Sequence, residues 1–518
     1  MLAPRRIIHR ATGNNARVAS IPAPVGGWNV RDSLANMSPM DAVTLTNLFP
    51  TVSNVAIRGG FTEYATGMNG QIQTLMTYTD GHDTELFAID ATGKNIYDVS
   101  SAGAVGAPVV TGLTNAVWQH TNISTPGGSY LVAVNGTDAA LIYDGSTWTT
   151  LSITGVANTV LENVLLFKNR LWFIEKRTLK AWYLPTQSIS GAAQMFDLRS
   201  VCSEGGHLVD FEAWTVDAGY GVDDNLVFIT SQGEVLVYRG TDPASSATWG
   251  AAGVWKLGSP VGHRCMMKYG GDVLILTYDG LLPLAQALQS SRLDPRVALS
   301  DKIQGAIATA TTLYGNHSSI GWQITYYAKA NALLINVPVS VGSQEQYVMN
   351  TITQAWCRFT GWAANCLEVY NDDLYFGADG VVCLAWNDTY TDDTSNIDTV
   401  AIQAFNYFEQ RGIEKYFTRA RPTIFTNGNP SIQVGMSVDY QITETVAPIS
   451  YTAQSVGLWD SAVWDTSLWG QSLTTAASWS GVTGVGYCGA VQFQGASQGV
   501  YYQWASTDIV YQAGWAGI

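Results

Sequence analysis

The feature that most limits what this chain can fold into is a series of short apolar strand pairs, each joined by turn residues. Leu86-Phe87-Ala88-Ile89 passes through Ala91-Thr92-Gly93-Lys94 into Ile96-Tyr97-Asp98-Val99, and Tyr130 to Val134 passes through Asn135-Gly136-Thr137-Asp138 into Ala140 to Tyr143. Val164 to Phe167 with Leu171 to Ile174, Leu226 to Thr230 with Val235 to Tyr238, and Leu374 to Phe376 with Val381 to Ala385 repeat the texture. Leu179 to Leu184, Val273 to Thr277 and Ala332 to Val337 fall between them. Two strands cannot bury such a face alone, so neighbouring pairs must stack. Radial stacking gives a β-propeller with short, protected edges, and a sandwich is the competing arrangement with the same turn signals. The pairs recur at roughly 35 to 60 residues, near a blade length. They predict an all-β fold with an irregular propeller of about six blades over residues 70–387, five or seven being compatible.

An acidic, turn-rich stretch from Asn387 to Thr394 then reads as a boundary or exposed loop. Beyond it, alternation in Thr423 to Phe425, Ile432 to Val438 and Tyr487 to Phe493 predicts a β-rich platform or assembly domain over residues 388–518. Residues 1–69 are expected to join this platform through an arm, a short helix and a strand. The helix is read at Ser38-Pro39-Met40-Asp41, with Ser38 as cap, Pro39 at the first helical position and Asp41 at the positive end. It would stop near Asn47, before Pro50. Asn54 to Arg58 then alternates as a strand that closes at Gly59-Gly60.

Composition agrees with many short strands and tight turns: of 518 residues, 51 are Gly, 18 Trp and 25 Tyr, and only 13% are charged. The formal charge of −15 argues against a surface that grips phosphates throughout. Arg5, Arg6, Arg10 and Arg17, with no acid among the first 17 residues, form the exception. They are candidates for contact with an acidic partner or DNA, a solvated frayed terminus being the alternative. No apolar run of about 18 residues and no apolar leader is present, so stable membrane insertion is not expected and assembly in a cytoplasm is.

Residues with chemical potential are dispersed. The six histidines show no metal-ligand spacing, the six cysteines form no CxxC pair, and Cys202 near His207 lacks a partner motif. Phosphate-binding and nucleophile-elbow motifs are absent. Asp223-Asp224, Asp372-Asp373 and Asp392-Asp393 are acidic pairs, but neighbours on a strand point to opposite faces, so none is a preformed dyad. A hydrolase using these acids and calcium at residues 388–393 remain alternatives. Tyr143-Asp144-Gly145-Ser146-Thr147-Trp148 reads as a blade turn with Trp packed beneath it. Trp459, Trp464 and Trp469, five residues apart, fit neither one strand face nor one helix face and are candidate assembly contacts. No catalytic residue, metal or cofactor is expected.

Several segments resemble the tail nozzle proteins of short-tailed bacteriophages, also called tail tubular protein B or DNA stabilisation proteins. They are Gly26-Gly27-Trp28-Asn29-Val30, Ser38-Pro39-Met40-Asp41-Ala42, Asn47, Pro50 and Arg58-Gly59-Gly60 at the start, then Leu299-Ser300-Asp301-Lys302-Ile303. Ala355-Trp356-Cys357-Arg358-Phe359-Thr360-Gly361-Trp362, Asp373-Leu374-Tyr375-Phe376-Gly377 and the late Trp-Asp run complete the likeness. The resemblance implies a virion tail protein, a homo-hexameric ring bound to a tail adaptor and contacting tail fibres or spikes. It also implies a channel that passes double-stranded DNA without sequence specificity, and no enzyme activity. A receptor-binding or glycan-depolymerising tail protein and a cellular propeller scaffold are the other readings.

Overall fold

The computed structural model describes residues 16–217, 222–288, 295–315, 321–340, 342–442, 446–449 and 473–514. Two compact units result: one comprises Trp28–Asp32 and Arg58–Ile397, the other the chain up to Gly27, Ser33–Ile57 and the chain from Asp398. In the first, apolar alternation and turn residues produce up-and-down antiparallel sheets. Gln119–Thr125, Gly128–Val134, Leu141–Tyr143 and Trp148–Thr150 pair in that order. Leu161–Phe167, Arg170–Glu175, Lys180–Tyr183 and Gln194–Asp197 do the same, as do Leu208–Asp217, Val222–Thr230, Glu234–Gly240 and Trp249–Lys256. Met266–Tyr269, Asp272–Thr277 and Gly280–Pro283 form a three-stranded sheet followed by the helix Gln304–Tyr314. Gln323–Tyr327, Ala332–Ser340, Ser343–Asn350 and Trp356–Phe359 complete another meander.

Ring closure falls to one long strand, Gly60–Thr79. Its first part pairs with Asp379–Asn387, behind Cys366–Tyr370 and Asp373–Gly377, as the outer strand of the last sheet. From Ile72 onward it pairs with Thr84–Asp90, and through that strand with Ile96–Asp98, as the inner strand of the first sheet. The innermost strands abut one another in chain order and the last returns to the first, so the unit is a propeller of seven blades rather than about six. Aromatic residues fill the gaps between blades. Trp172 of blade three stacks on Trp249 of blade four at 5.7 Å, and Phe87 of blade one meets Tyr143 and Trp148 of blade two at 5.0 and 5.1 Å.

The turn beneath Trp148 is closed by Asp144, whose Oδ1 accepts from Thr147 N at 2.7 Å and Ser146 N at 2.9 Å. These donors hold its carboxyl below the usual range. Asp144→Ala is expected to cost about 1 kcal/mol in urea unfolding. An unchanged midpoint would mean that Trp148 packing alone sets the turn.

The other unit is a sandwich of two sheets. In one, Lys415–Thr426 pairs with Tyr502–Ala513, Ala16–Pro22 lies antiparallel along the latter, and Val55–Ile57 and Leu48–Pro50 extend it. The second orders Asp41–Thr46, Ile397–Gln403, Gly489–Ser497, Ser431–Val438 and Val446–Ile449. Phe493 and Trp504 stack between the sheets at 4.6 Å.

The helix expected from Ser38 does not form. Ser38 and Pro39 open a tight turn in which Asp41 N donates to Ser38 O at 2.9 Å, and Asp41–Thr46 runs on as a strand against Ile397–Gln403. Proline suits a turn's second position as well as a helix start, and Val43, Thr44 and Thr46 are β-branched residues that favour a pleated, half-buried surface. Asn47, at φ 56°, then passes the chain from this sheet to Leu48–Pro50 in the other. The acidic stretch after Asn387 likewise belongs to the propeller unit, because Asp392 is drawn into its interior by Arg58.

Candidate functional site

Because inner strands carry their backbone toward the propeller axis, polar residues on them converge there. A cavity of about 330 Å³ lies on the axis and adjoins a second of about 460 Å³ that shares Gln119 and Asn163 with it. Side chains stitch the blades together around the smaller one. Asp210 of blade four accepts from Asn163 Nδ2 of blade three at 2.7 Å and from Met266 N of blade five at 2.9 Å. Gln323 of blade six exchanges two hydrogen bonds with the Leu367 backbone of blade seven, at 2.7 and 3.0 Å. Thr77 of blade one donates to Glu368 of blade seven at 3.2 Å.

Arg264 reaches this axis just before blade five. Its guanidinium donates to Trp118 O at 3.0 Å, Thr74 Oγ1 at 3.1 Å and Gln323 Oε1 at 3.3 Å, all neutral acceptors. Among the described residues it forms no ion pair, and burial lowers its affinity for its proton. Burial likewise lifts Asp210 to about 7, against the pull of its hydrogen bonds and with Glu212's charge adding to the rise. Burial raises Glu212, and lifts Glu368 to about 7 despite Arg264. His120, 4.0 Å from Glu368, is pushed down to about 4 by burial and by Arg264, so it is neutral near pH 7. Glu368 itself keeps 21% of its side chain exposed and lines the cavity.

The larger cavity is a polar mouth with Glu162, Lys176, Arg177, His207 and His263 in its wall. Lys176 Nζ is tied to Gly136 O at 3.0 Å.

The residues singled out from sequence lie elsewhere. Arg5, Arg6, Arg10, Trp459, Trp464 and Trp469 fall outside the described residues. Arg17 sits exposed on Ala16–Pro22, opposite Tyr511. Two of the acidic pairs are divided by their turns, since Asp372 and Asp393 are left-handed, at φ 63° and 52°, while Asp223 and Asp224 are successive residues of the strand Val222–Thr230. Asp373 pairs with Lys329 at 2.6 Å, and Asp224 accepts from Thr215 at 2.8 Å. Cys202 is raised to about 11 by burial and nearby Glu234 and Asp197, away from thiolate character. Asp210, Glu212, Arg264 and Glu368 were not anticipated. Their only local signal is a charged residue inside or beside an otherwise apolar first strand of a blade.

A second node gathers segments far apart in sequence. Arg58 is fully buried; Nη1 donates to Asp392 Oδ1 at 2.8 Å and Gly59 O at 3.0 Å, and Nη2 to Asp392 Oδ2 at 2.6 Å and Thr360 O at 2.7 Å. Its cation lies 5.1 Å from the Trp362 ring and 5.7 Å from Phe359. Trp362 stacks on Phe376. In the same outer strand of blade six, Trp356 Nε1 donates to Leu299 O at 2.9 Å and Arg358 stands over Trp28. Val30 N donates to Lys302 O at 2.9 Å, and Arg31 pairs with Asp301. Gly60 has no room for a side chain, since a Cβ would fall 2.0 Å from Thr391 O.

No family model and no curated protein matches this sequence. Among solved structures, the computationally designed Ika8 protein is similar at 11% identity and TM-score 0.37, over 63% of this chain and 99% of that one. BBS1N, solved in complex with ARL6DN, is similar at 10% identity and TM-score 0.39, over 64% of this chain and 98% of that one. YCF48 from Cyanidioschyzon merolae is similar at 9% and 0.37, over 63% and 98%. The propeller assignment rests on this chain's own strand order and ring closure.

Proposed function

We propose that this chain is a structural virion protein, the nozzle subunit of a short phage tail, forming a hexameric conduit for genome retention and DNA ejection. The observation that carries the reading is the destination of the nozzle-like segments. Trp28, Arg58-Gly59-Gly60, Leu299 to Ile303, Ala355 to Trp362 and Phe376 meet in a packing and ion-pair node, apart from the axial acids. A likeness that gathers on packing supports a scaffold over an enzyme, since enzyme function resides in sites rather than in the fold.

The axial cavity favours a ring as well. At about 330 Å³ and lined by buried side chains, it admits no duplex, whose major groove alone is about 12 Å wide. A conduit would therefore run between subunits. The acidic excess of the chain suits passage without sticking, because like charges repel phosphates. A tail adaptor, and fibres or spikes, would be the stable partners.

Electron microscopy of particles that incorporate this chain, or of the purified chain mixed with its tail adaptor, is expected to show a sixfold ring around a central channel. A chain that stays monomeric beside all its tail proteins would sink the reading. So would depolymerisation of a host surface glycan by the purified chain.

A further inference from the structure

We propose that the polar mouth of the propeller is a binding site for a small phosphomonoester of the sugar-phosphate class. Lys176 and Arg177 form the turn between Arg170–Glu175 and Lys180–Tyr183 of blade three. His207 immediately precedes the inner strand of blade four, and His263 lies just before that of blade five. All four line one cavity of about 460 Å³. Among the described residues of its wall Glu162 is the single acid, so Lys176 and Arg177 leave one positive charge in excess, and Arg264 beside His263 supplies another. This concentration runs against a chain whose formal charge is −15.

The donors around the mouth are unspent. Among the described residues the side chains of Arg177, His207, His263 and Gln119 take part in no hydrogen bond or ion pair, and Asn115 Nδ2 donates to nothing. Lys176 Nζ keeps one of its three donors after Gly136 O and Thr137 Oγ1. The cationic groups also act on one another. Burial holds His263 below its ordinary value; Glu162 opposes the shift, while His207, Arg264 and Lys176 add to it. Cationic groups brought from blades three, four and five to one cavity, with donors free, are relieved by an anion.

Glu162 decides what kind of anion. Its carboxylate accepts no hydrogen bond among the described residues, and a bare phosphate would leave it both unpartnered and repelled. A phosphomonoester that carries hydroxyl groups answers both features. Its three phosphate oxygens, with about 1.5 to 2 negative charges, face Lys176, Arg177 and the imidazoles. Its hydroxyls donate to Glu162 and pair with the amides of Asn115 and Gln119. A cavity of about 460 Å³ is of the size that holds such a molecule.

Calorimetric titration of the full chain with ribose 5-phosphate at about pH 7 is expected to give one saturable site. Inorganic phosphate and ribose should each bind at least about tenfold more weakly, because each satisfies only one side of the mouth. Arg177→Asn should weaken ribose 5-phosphate by about tenfold. The Arg177 side chain is exposed and asparagine tolerates its φ of 57°, so the fold should stand. Glu162→Gln should strengthen inorganic phosphate and narrow its gap to ribose 5-phosphate, since the repulsion goes and a carboxylate acceptor is lost. Absence of saturable ribose 5-phosphate binding overturns the site, and equal binding of inorganic phosphate to the wild-type chain overturns the ligand class. Undiminished affinity in Arg177→Asn overturns the placing of the phosphate, and a gap unchanged by Glu162→Gln overturns the role of the hydroxyls.

Discussion

Replacing Arg58 by alanine is expected to destabilise the propeller by about 3 to 5 kcal/mol, the cost of leaving a buried carboxylate without its cation. The guanidinium donates to Gly59 O and Thr360 O and forks onto Asp392, and its faces lie against Trp362 and Phe359. Lysine keeps the charge but loses the planar fork, so Arg58→Lys should cost about half as much. Removing both charges tests the cause: Arg58→Met with Asp392→Leu should recover most of the loss, because two apolar groups need no partner. The measurement is urea unfolding followed by tryptophan fluorescence. A loss below about 1 kcal/mol for Arg58→Ala would show that the ion pair is incidental and that aromatic packing alone holds the node.

The position of Arg58 also explains why that loss belongs to the whole ring. It immediately precedes Gly60–Thr79, the strand that is outer in blade seven and inner in blade one. Asp392 follows the outermost chain-order strand of blade seven, and Thr360 follows the outer strand of blade six. One side chain therefore ties the closing strand to two blades. The same closing strand is also hydrogen-bonded along Asp379–Asn387, so the Arg58 ion pair reinforces a closure that the sheet itself makes.

The hairpins were legible in the sequence because their signals are local: alternation inside Tyr130 to Val134 or Leu226 to Thr230, and Asn-Gly or Gln-Gly at the turns. The blade number was not. Gly60–Thr79 serves two blades without interruption, and blade five stops at three strands before the helix Gln304–Tyr314, so the recurrence is uneven where the ring is regular. The same locality misplaced a helix at Ser38, where a proline turn and a capped helix share one signature and only pairing with Ile397–Gln403 separates them. The axial acids escaped for the same reason. Val209-Asp210-Phe211-Glu212 and Cys366-Leu367-Glu368 look like interrupted strands until the ring brings them to one axis. The Arg58 node was half visible, as a set of resembling segments with no indication that they touch.

Stability should also reveal the axial acids through its dependence on pH. Glu368 titrates at about 7 in the fold and near its ordinary value of 4.5 when unfolded, and Asp210 behaves likewise from 3.8. Between those limits the unfolded chain holds fewer protons than the folded one, so stability falls as pH rises through 7. A full shift is worth about 3 kcal/mol for Glu368 and about 4 kcal/mol for Asp210, and relaxation of the cavity would reduce the Glu368 share to about 2. Exposed acids with depressed values, such as Asp32 and Asp197, act the other way but complete their change at more acidic pH. Glu368→Gln isolates the effect, because among the described residues its hydrogen bond comes from Thr77 and glutamine can accept it. The variant should come closest to wild type near pH 4, where the acid is largely protonated folded and unfolded alike, and its advantage should grow by about 2 kcal/mol by pH 8.5. Arg264 limits the gain, since its charge favours ionised Glu368, while neutral His120 leaves it unchanged. A variant that is equally destabilised at both pH values would show that Glu368 is ionised throughout, held by Arg264 across the axis.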